Sequence, residues 1–457
     1  MLTCWPSLKV RSVKKLNWSD KDMATTAATS FPSPEQINCP KCNSEITLYD
    51  PEGSEFFACG FCHDYFQFVD DTPVRIKTLG PAALKPLIPL GTVGILQGIS
   101  FKLIAYIEKD EGNTTYPGWR EYVLYNYEIG YAILSEYDGH WNLIFDKKHL
   151  PDLEKVVYTS SQVVYEGYAY KLFHHYSPRV RSLIGEFDWD IVKERVKVSE
   201  FVAAPYIVSR EASIGTKKKT VDYYLGEYQE PEVIAEAFKL EINLFPTKIG
   251  TISNQPSKAS ANWKWSLYTT LYLILALLLI ELFVVYVKPE NTLVDSVYNL
   301  TYDPEKGINE FKPFVSSGFE LEDESSALQI DISSGVVNNW LETTIVLVNE
   351  ASNQTWEVTK GFEYYQGVEG GESWSEGEQS AEVLLSEIPR GKYHLNIYPA
   401  SGDSARNVLA VKVVSNVTLW RNLLICILML SIYPIFSYLW MRNFEKKRWS
   451  NSDYSPF

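Results

Sequence analysis

Apolar residues along this chain fall into two regimes: two unbroken runs, and long stretches in which apolar and polar residues alternate. Trp265 to Val287 (WSLYTTLYLILALLLIELFVVYV) carries a single charge, Glu281, and Leu419 to Met441 (LWRNLLICILMLSIYPIFSYLWM) a single charge, Arg421. Each run has twenty-three residues, which as helix reach about 35 Å, enough for a ~30 Å hydrocarbon core. The pattern therefore predicts transmembrane helices over 264–287 and 418–441. Trp420 and Trp440 stand near the ends of the second run, where indole rings favour the headgroup layer. Pro434 predicts a kink, with Ser431 and Ser437 placed to satisfy the freed carbonyls.

Elsewhere the period is two. From Ile88 onward GTVGILQG, SFKLIAYIEKD, REYVLYNYEIGYAILSEYDGHWNLIF and VVYEGYAYKLFHHY alternate, with turns at Asp110-Glu111-Gly112-Asn113 and Asp138-Gly139. This predicts an antiparallel, barrel-like β domain over 79–246, in which only Pro231 to Leu240 (PEVIAEAFKL) reads as a helix. A linker over 247–263 leads to the first apolar run. After a second linker, 288–318, segments such as ALQIDIS, WLETTIVLVNE, AEVLLSEI and KYHLNIYP predict a β-sandwich over 319–417, and 442–457 forms a short tail. The expected class is a mainly β, multidomain membrane protein.

Cysteine spacing adds one more module. CPKC and CGFC are separated by sixteen residues, the spacing of a Cys4 zinc ribbon in which two knuckles turn their thiolates toward one tetrahedral ion. Cys39, Cys42, Cys59 and Cys62 are thus the expected ligands of a structural Zn2+, with a redox dithiol and a rubredoxin-like iron site as alternatives. The ribbon is expected over 36–78, with two short strands bracketing Pro51-Glu52-Gly53, after a flexible leader over 1–35. His63 is read as an exposed neighbour of the last cysteine, not a ligand. Four protein ligands leave no open position for catalysis. The leader has no apolar run of signal-peptide length, and Met1 and Met23 are alternative starts.

Charge sets sidedness and narrows the partners. Arg442, Lys446, Lys447 and Arg448 follow the second run, whereas Lys288 and Lys412 stand nearly alone on the other side. The positive-inside rule then puts 1–263 and 442–457 in the cytoplasm and 289–416 outside. A net charge of −15 argues against nucleic acid as a partner. The lipid bilayer and a cytoplasmic protein are the partners expected, and the oligomeric state stays open. Of six cysteines, Cys4 and Cys426 lie apart from the ribbon, unlike a disulfide scaffold.

No catalytic residues are assigned. His140, His149, His174 and His175 lie among Glu121, Glu186 and Glu211, but no HExxH, GxSxG or Walker pattern accompanies them. His174 and His175 are adjacent and would face opposite sides of a strand. Trp119 to Tyr122 and Trp141 are read as core, Lys217-Lys218-Lys219 as a solvated loop, and GVEGGESWSEGEQ as a solvated acidic turn. Within the membrane, Glu281 is expected to pair with Arg421, offsetting the cost of an intramembrane carboxylate.

The succession GISFKLIAYI, WREYVLYN, VYEGYAYKLF, GEFDW at 185–189, FVAAPYIVSREAS and YYLGEYQEPEVIAEAF resembles the bacterial family known as domain of unknown function 4178, over about 85–240. The resemblance implies an N-terminal Cys4 knuckle and membrane segments beside the domain, a bacterial inner-membrane location, and company with polyamine-related and membrane-stress genes. It supplies no catalytic residue. The function expected is a non-catalytic adapter or sensor. A small-molecule (polyamine-like) binding or modifying enzyme and a membrane-tethered nucleic-acid regulator are the rivals.

Overall fold

The computed structural model describes residues 31–112, 118–146, 150–193, 195–215, 220–303, 305, 310–402 and 408–457. Cys4, Met23, most of the leader, Asn113, His149 and Lys217 to Lys219 lie outside the described residues. Two compact units are present, Met1–Trp263 with Ser437–Phe457, and Lys264–Phe436.

The first unit is built on one antiparallel sheet of fifteen strands, running from Val157–Tyr158 at one end to Thr72–Thr78 at the other. The expected barrel does not close: it is a half-barrel. Strand Arg179–Phe187, which would have to pair back, instead takes Phe56–Ala58 of the ribbon as its neighbour, through Gly185↔Ala58 and Phe187↔Phe56. The ribbon thus extends the sheet.

Strand Ile99–Asp110 feeds two cores, and a register shift between Leu103 and Ala105 breaks its alternation and exchanges the faces. Phe101, Leu103 and Tyr106 join Tyr122, Leu124, Trp141 and helix α1 (Pro231–Ala237), whereas Ile104, Ala105 and Ile107 pack with Phe56, Tyr65 and Phe187. Burial on both faces explains why this strand reads as nearly continuous apolar sequence. Trp141 is a core residue, stacked on Tyr122 at 5.8 Å. Trp119 is not: it is half-buried, edge-on to Tyr176. Pro231 starts α1 where its missing N–H costs nothing, and Lys239, at φ 55°, closes it short of the expected Leu240.

The second unit holds an eight-stranded antiparallel sheet. The expected sandwich is a single hydrogen-bonded sheet, because two long strands, Phe319–Ser333 and Ser380–Ser401, pass through register shifts and serve neighbours along their whole length. Alternate residues Leu341, Ile345, Leu347, Leu409, Val411 and Val413 fill its core. The expected acidic turn at 367–379 is instead a projecting hairpin, Thr355–Glu369 against Glu372–Gly377, turned at Gly370-Gly371 with both φ positive.

Helices α2 (Lys258–Val287) and α3 (Trp420–Trp449) are each 30 residues, with mean hydropathy peaks of 2.6 and 2.1. They are long and apolar enough to cross a membrane. Both outrun the expected spans: α2 takes in the end of the 247–263 linker, and α3 absorbs the basic residues 442–448. It continues through Pro434, with the Ser431 hydroxyl donating to the Ile427 carbonyl.

The end of α3 is part of the first unit. Trp449 packs with Phe173, Val202 and Ile207, and Arg448 donates to the Ser253 carbonyl at 2.7 Å. Beyond the helix, Ser452 donates to the Phe173 carbonyl, Asp453 lies 3.2 Å from His174, and Tyr454 meets the His175 ring edge-on.

Candidate functional site

Each CxxC knuckle is the turn of its own hairpin. Glu35–Asn38 pairs with Glu45–Leu48 around Cys39 and Cys42, and Phe56–Ala58 pairs with Asp64–Val69 around Cys59 and Cys62. The strands flanking Pro51-Glu52-Gly53 therefore pair outward and not with each other, since each knuckle uses up its own two flanks. The two turns repeat one geometry. Cys39 and Cys59 carbonyls accept from the amides of Asn43 and His63, and both donor residues sit at positive φ, 61° and 58°. His63 is thus a turn-closing residue, half-buried where exposure was expected.

The four sulfurs lie within 4.8 Å of one another, with Cys39 to Cys62 at 3.6 Å and Cys42 to Cys59 at 3.7 Å. Tetrahedral thiolates about 2.3 Å from an ion stand ~3.8 Å apart, so the donor set fits a metal. No disulfide forms among these cysteines. Hydrogen bonds from the Ser44 hydroxyl and amide draw the Cys42 thiol down to about 6, whereas burial pushes Cys62 up to about 12 and raises Cys39.

Two carboxylates hold this centre in place: Asp64, which sequence reasoning did not single out, and Glu186, which it weighed only as a neighbour of the histidines. Asp64, fully buried, receives Lys41 of the first knuckle at 3.0 Å and Arg75 at 2.9 Å. Burial works against its charge, but Thr78, Lys41 and Arg75 outweigh it and hold the carboxyl below its usual range. One residue thereby ties both knuckles together. Glu186, also fully buried, accepts from the amides of Tyr49 and Asp50 and the hydroxyl of Ser54, pinning the turn between the knuckles to strand Arg179–Phe187. The only signal in the sequence was an acidic residue directly after CGFCH and another inside an apolar strand.

The described histidines do not converge. His140 is fully buried, its Nδ1 3.0 Å from the Tyr228 hydroxyl, and burial lowers its pKa. His174 faces Glu111 and Asp453 while His175 turns to Tyr454. Lys109 pairs with Glu121 at 2.8 Å, Trp119 donates to Glu121, and Tyr176 donates to Glu200 at 2.8 Å. Glu281 is half-buried in α2 and Arg421 exposed at the second residue of α3, and no ion pair joins them among the described residues. The carboxylate sits six residues, ~9 Å of helical rise, inside the end of α2.

Comparison with known proteins turns on the strands between Pro89 and Pro231. Residues 89–231 match the family Domain of unknown function (DUF4178). The DUF4178 region therefore stops short of the ribbon, yet is hydrogen-bonded to it through Arg179–Phe187. No curated protein matches the chain. Solved structures of infectious bursal disease virus align weakly. The Gx strain is 11% identical, with a TM-score of 0.17, over 84% of this chain and 71% of that one. The Gt strain is 10% identical, with a TM-score of 0.16, over 86% and 74%. These scores carry no argument about fold or function.

Proposed function

We propose that this chain is a two-pass protein of the bacterial inner membrane and acts as a non-catalytic adapter or sensor. In this reading residues 1–263 and 442–457 are cytoplasmic, residues 289–416 lie outside, and Cys39, Cys42, Cys59 and Cys62 hold a structural zinc ion. The basic residues Arg442, Lys446 and Lys447 support this sidedness. Four thiolates around a small two-hairpin module favour zinc as a stabiliser, because so little chain buries little core of its own.

The adapter role rests on one observation, the flank of strand Thr72–Thr78 that pairs with no strand among the described residues. This strand ends the fifteen-stranded sheet beside the metal centre and exposes Val74 and Ile76, with Phe61 on the second knuckle 75% exposed. An unpaired strand edge with apolar side chains accepts a strand from a partner protein. The test is affinity purification from native membranes in mild detergent, with metal analysis. Wild type is compared with Cys39→Ser/Cys42→Ser and with Val74→Lys/Ile76→Lys. One zinc per chain and one stoichiometric partner, lost from both variants, supports the reading. A partner retained by Val74→Lys/Ile76→Lys refutes the edge as its dock, and no partner in any sample refutes the adapter.

A second reading is binding of a small organic cation of polyamine type. The grouping of Glu121 and Glu200 with Trp119 and Tyr176 favours it, since carboxylates and aromatic faces suit ammonium groups. Calorimetry with spermidine decides: heat lost in Glu200→Gln supports it, and no heat with wild type refutes it.

A further inference from the structure

Where the segment after α3 crosses strand Tyr168–Tyr176, it encloses a cavity of about 760 Å³. Lys171 and His175 line it from that strand, and Ser160 and Ser161 from the bend between strands Val157–Tyr158 and Gln162–Tyr165. Trp449 and Tyr454 line it from the other side. Phe173, between the two basic residues, seats the Trp449 indole, and Tyr454 meets His175 edge-on, so the docked segment is what completes the cavity.

Charge in this cavity runs against that of the chain. The sequence has 57 Asp and Glu against 42 Lys and Arg, yet no carboxylate lines the cavity among the described residues. Asp453, carried in by the docked segment, is turned to His174 at 3.2 Å and lies outside the lining. Lys197, on strand Val196–Ala203 alongside, adds positive charge at His175. The His175 Nδ1 is buried and has no hydrogen-bond partner among the described residues, a polar position that the protein itself leaves unused.

We propose that this cavity binds an organic phosphate ester, with the phosphate group at Lys171, His175 and the two serine hydroxyls and the organic part against Trp449 and Tyr454. An ammonium group and hydroxyl donors suit phosphate oxygens, and aromatic faces suit the carbons attached to them. The volume lies within the roughly 300–1,000 Å³ of small-molecule sites, far more than a bare phosphate ion fills. Two sources carry this chemistry, a soluble phosphate ester and a phospholipid headgroup. Trp449 stands eight residues beyond Met441, ~12 Å of helical rise past the apolar run, which brings the cavity next to the headgroup layer. The lipid source rests on the two-pass reading; the soluble source does not.

The experiment is native mass spectrometry of the full chain released from a non-ionic detergent. It is titrated with glycerol 3-phosphate, with dioleoyl phosphatidylglycerol, and with dioleoylglycerol, which lacks the phosphate. Wild type should bind one phosphate ester per chain. Lys171→Glu should weaken it by roughly 10- to 100-fold, the worth of a contact to a charged group. Lys171→Arg should keep it, as should Lys77→Glu, the same charge change at an exposed site on the far edge strand. Phosphatidylglycerol bound without glycerol 3-phosphate supports the proposal with a lipid source. Glycerol 3-phosphate bound supports it with a soluble one, whether or not the chain crosses a membrane twice. No ester bound by wild type, dioleoylglycerol bound as tightly as phosphatidylglycerol, or unchanged affinity in Lys171→Glu overturns it. Should hydrogen exchange show residues 450–454 undocked in Lys171→Glu, Ser160→Asp/Ser161→Asp brings negative charge from the opposite wall and decides by the same criterion.

Discussion

Replacing Trp449 with alanine should free the segment after α3 from the sheet without unfolding the sheet. The indole is 7% exposed and closes a small cluster with Phe173, Val202 and Ile207, its ring centroid 5.3 Å from that of Phe173. Removing a buried Trp side chain costs about 3–5 kcal/mol. This cluster has only four members at the margin of the unit and can partly collapse, so the lower end, ~3 kcal/mol, applies. That corresponds to roughly a 100-fold rise in the undocked population. The contacts that follow depend on it: Ser452 to the Phe173 carbonyl, Asp453 to His174, and Tyr454 on His175. Hydrogen exchange of residues 450–454 should accelerate by about that factor while strand Ile99–Asp110 keeps its protection. Trp449→Phe, which retains most of the contact, should change it by less than tenfold. Unchanged exchange at 450–454 in Trp449→Ala would refute the claim that this cluster holds the segment down.

Two more outcomes follow from particular charges. Asp64→Asn removes the shared anion of Lys41 and Arg75, so a chelator should strip the metal about tenfold faster from the variant. Because the Asp64 carboxyl is held below its usual range, its contribution persists above the ordinary value and fades only as pH falls through the lowered one. The wild-type metal off-rate should accordingly show no change from Asp64 titration between pH 7 and pH 5. For Glu281 and Arg421, we propose that pairing is made within the bilayer: Glu281→Arg or Arg421→Glu alone should lower the membrane level of the protein, and the double exchange should restore it. A double variant no better than either single one refutes the pair.

The parts of the fold that were legible were those set by periodicity and spacing. Sixteen residues between two CxxC pairs specified a four-thiolate cluster, and two apolar runs specified α2 and α3. Strand pairing was less legible, because alternation tells which side chains share a face and not which strand lies alongside. Phe56 and Phe57 look alike in sequence, yet they enter different cores, and the pairing of their strand with Arg179–Phe187 across some 130 residues leaves no local trace. Buried carboxylates were invisible for a related reason. Glu186 and Asp64 look like ordinary surface acids until the donors around them are assembled from distant segments. The 442–457 segment read as a basic flank, which hid that Arg448 turns inward, to 3% exposure, while Lys446 and Lys447 supply the charge.

The contact of Trp449 with Phe173 also acts as a parity check on insertion. Between these two residues the chain passes through both apolar helices. If each crosses the bilayer, the indole returns to the compartment of its partners. If only one crosses, the indole is stranded behind the lipid and Phe173, Val202 and Ile207 stay uncovered. A chain threaded an odd number of times therefore carries an exposed apolar defect on its own sheet, the kind of surface that quality-control proteases read. Correct threading is recorded as a buried tryptophan.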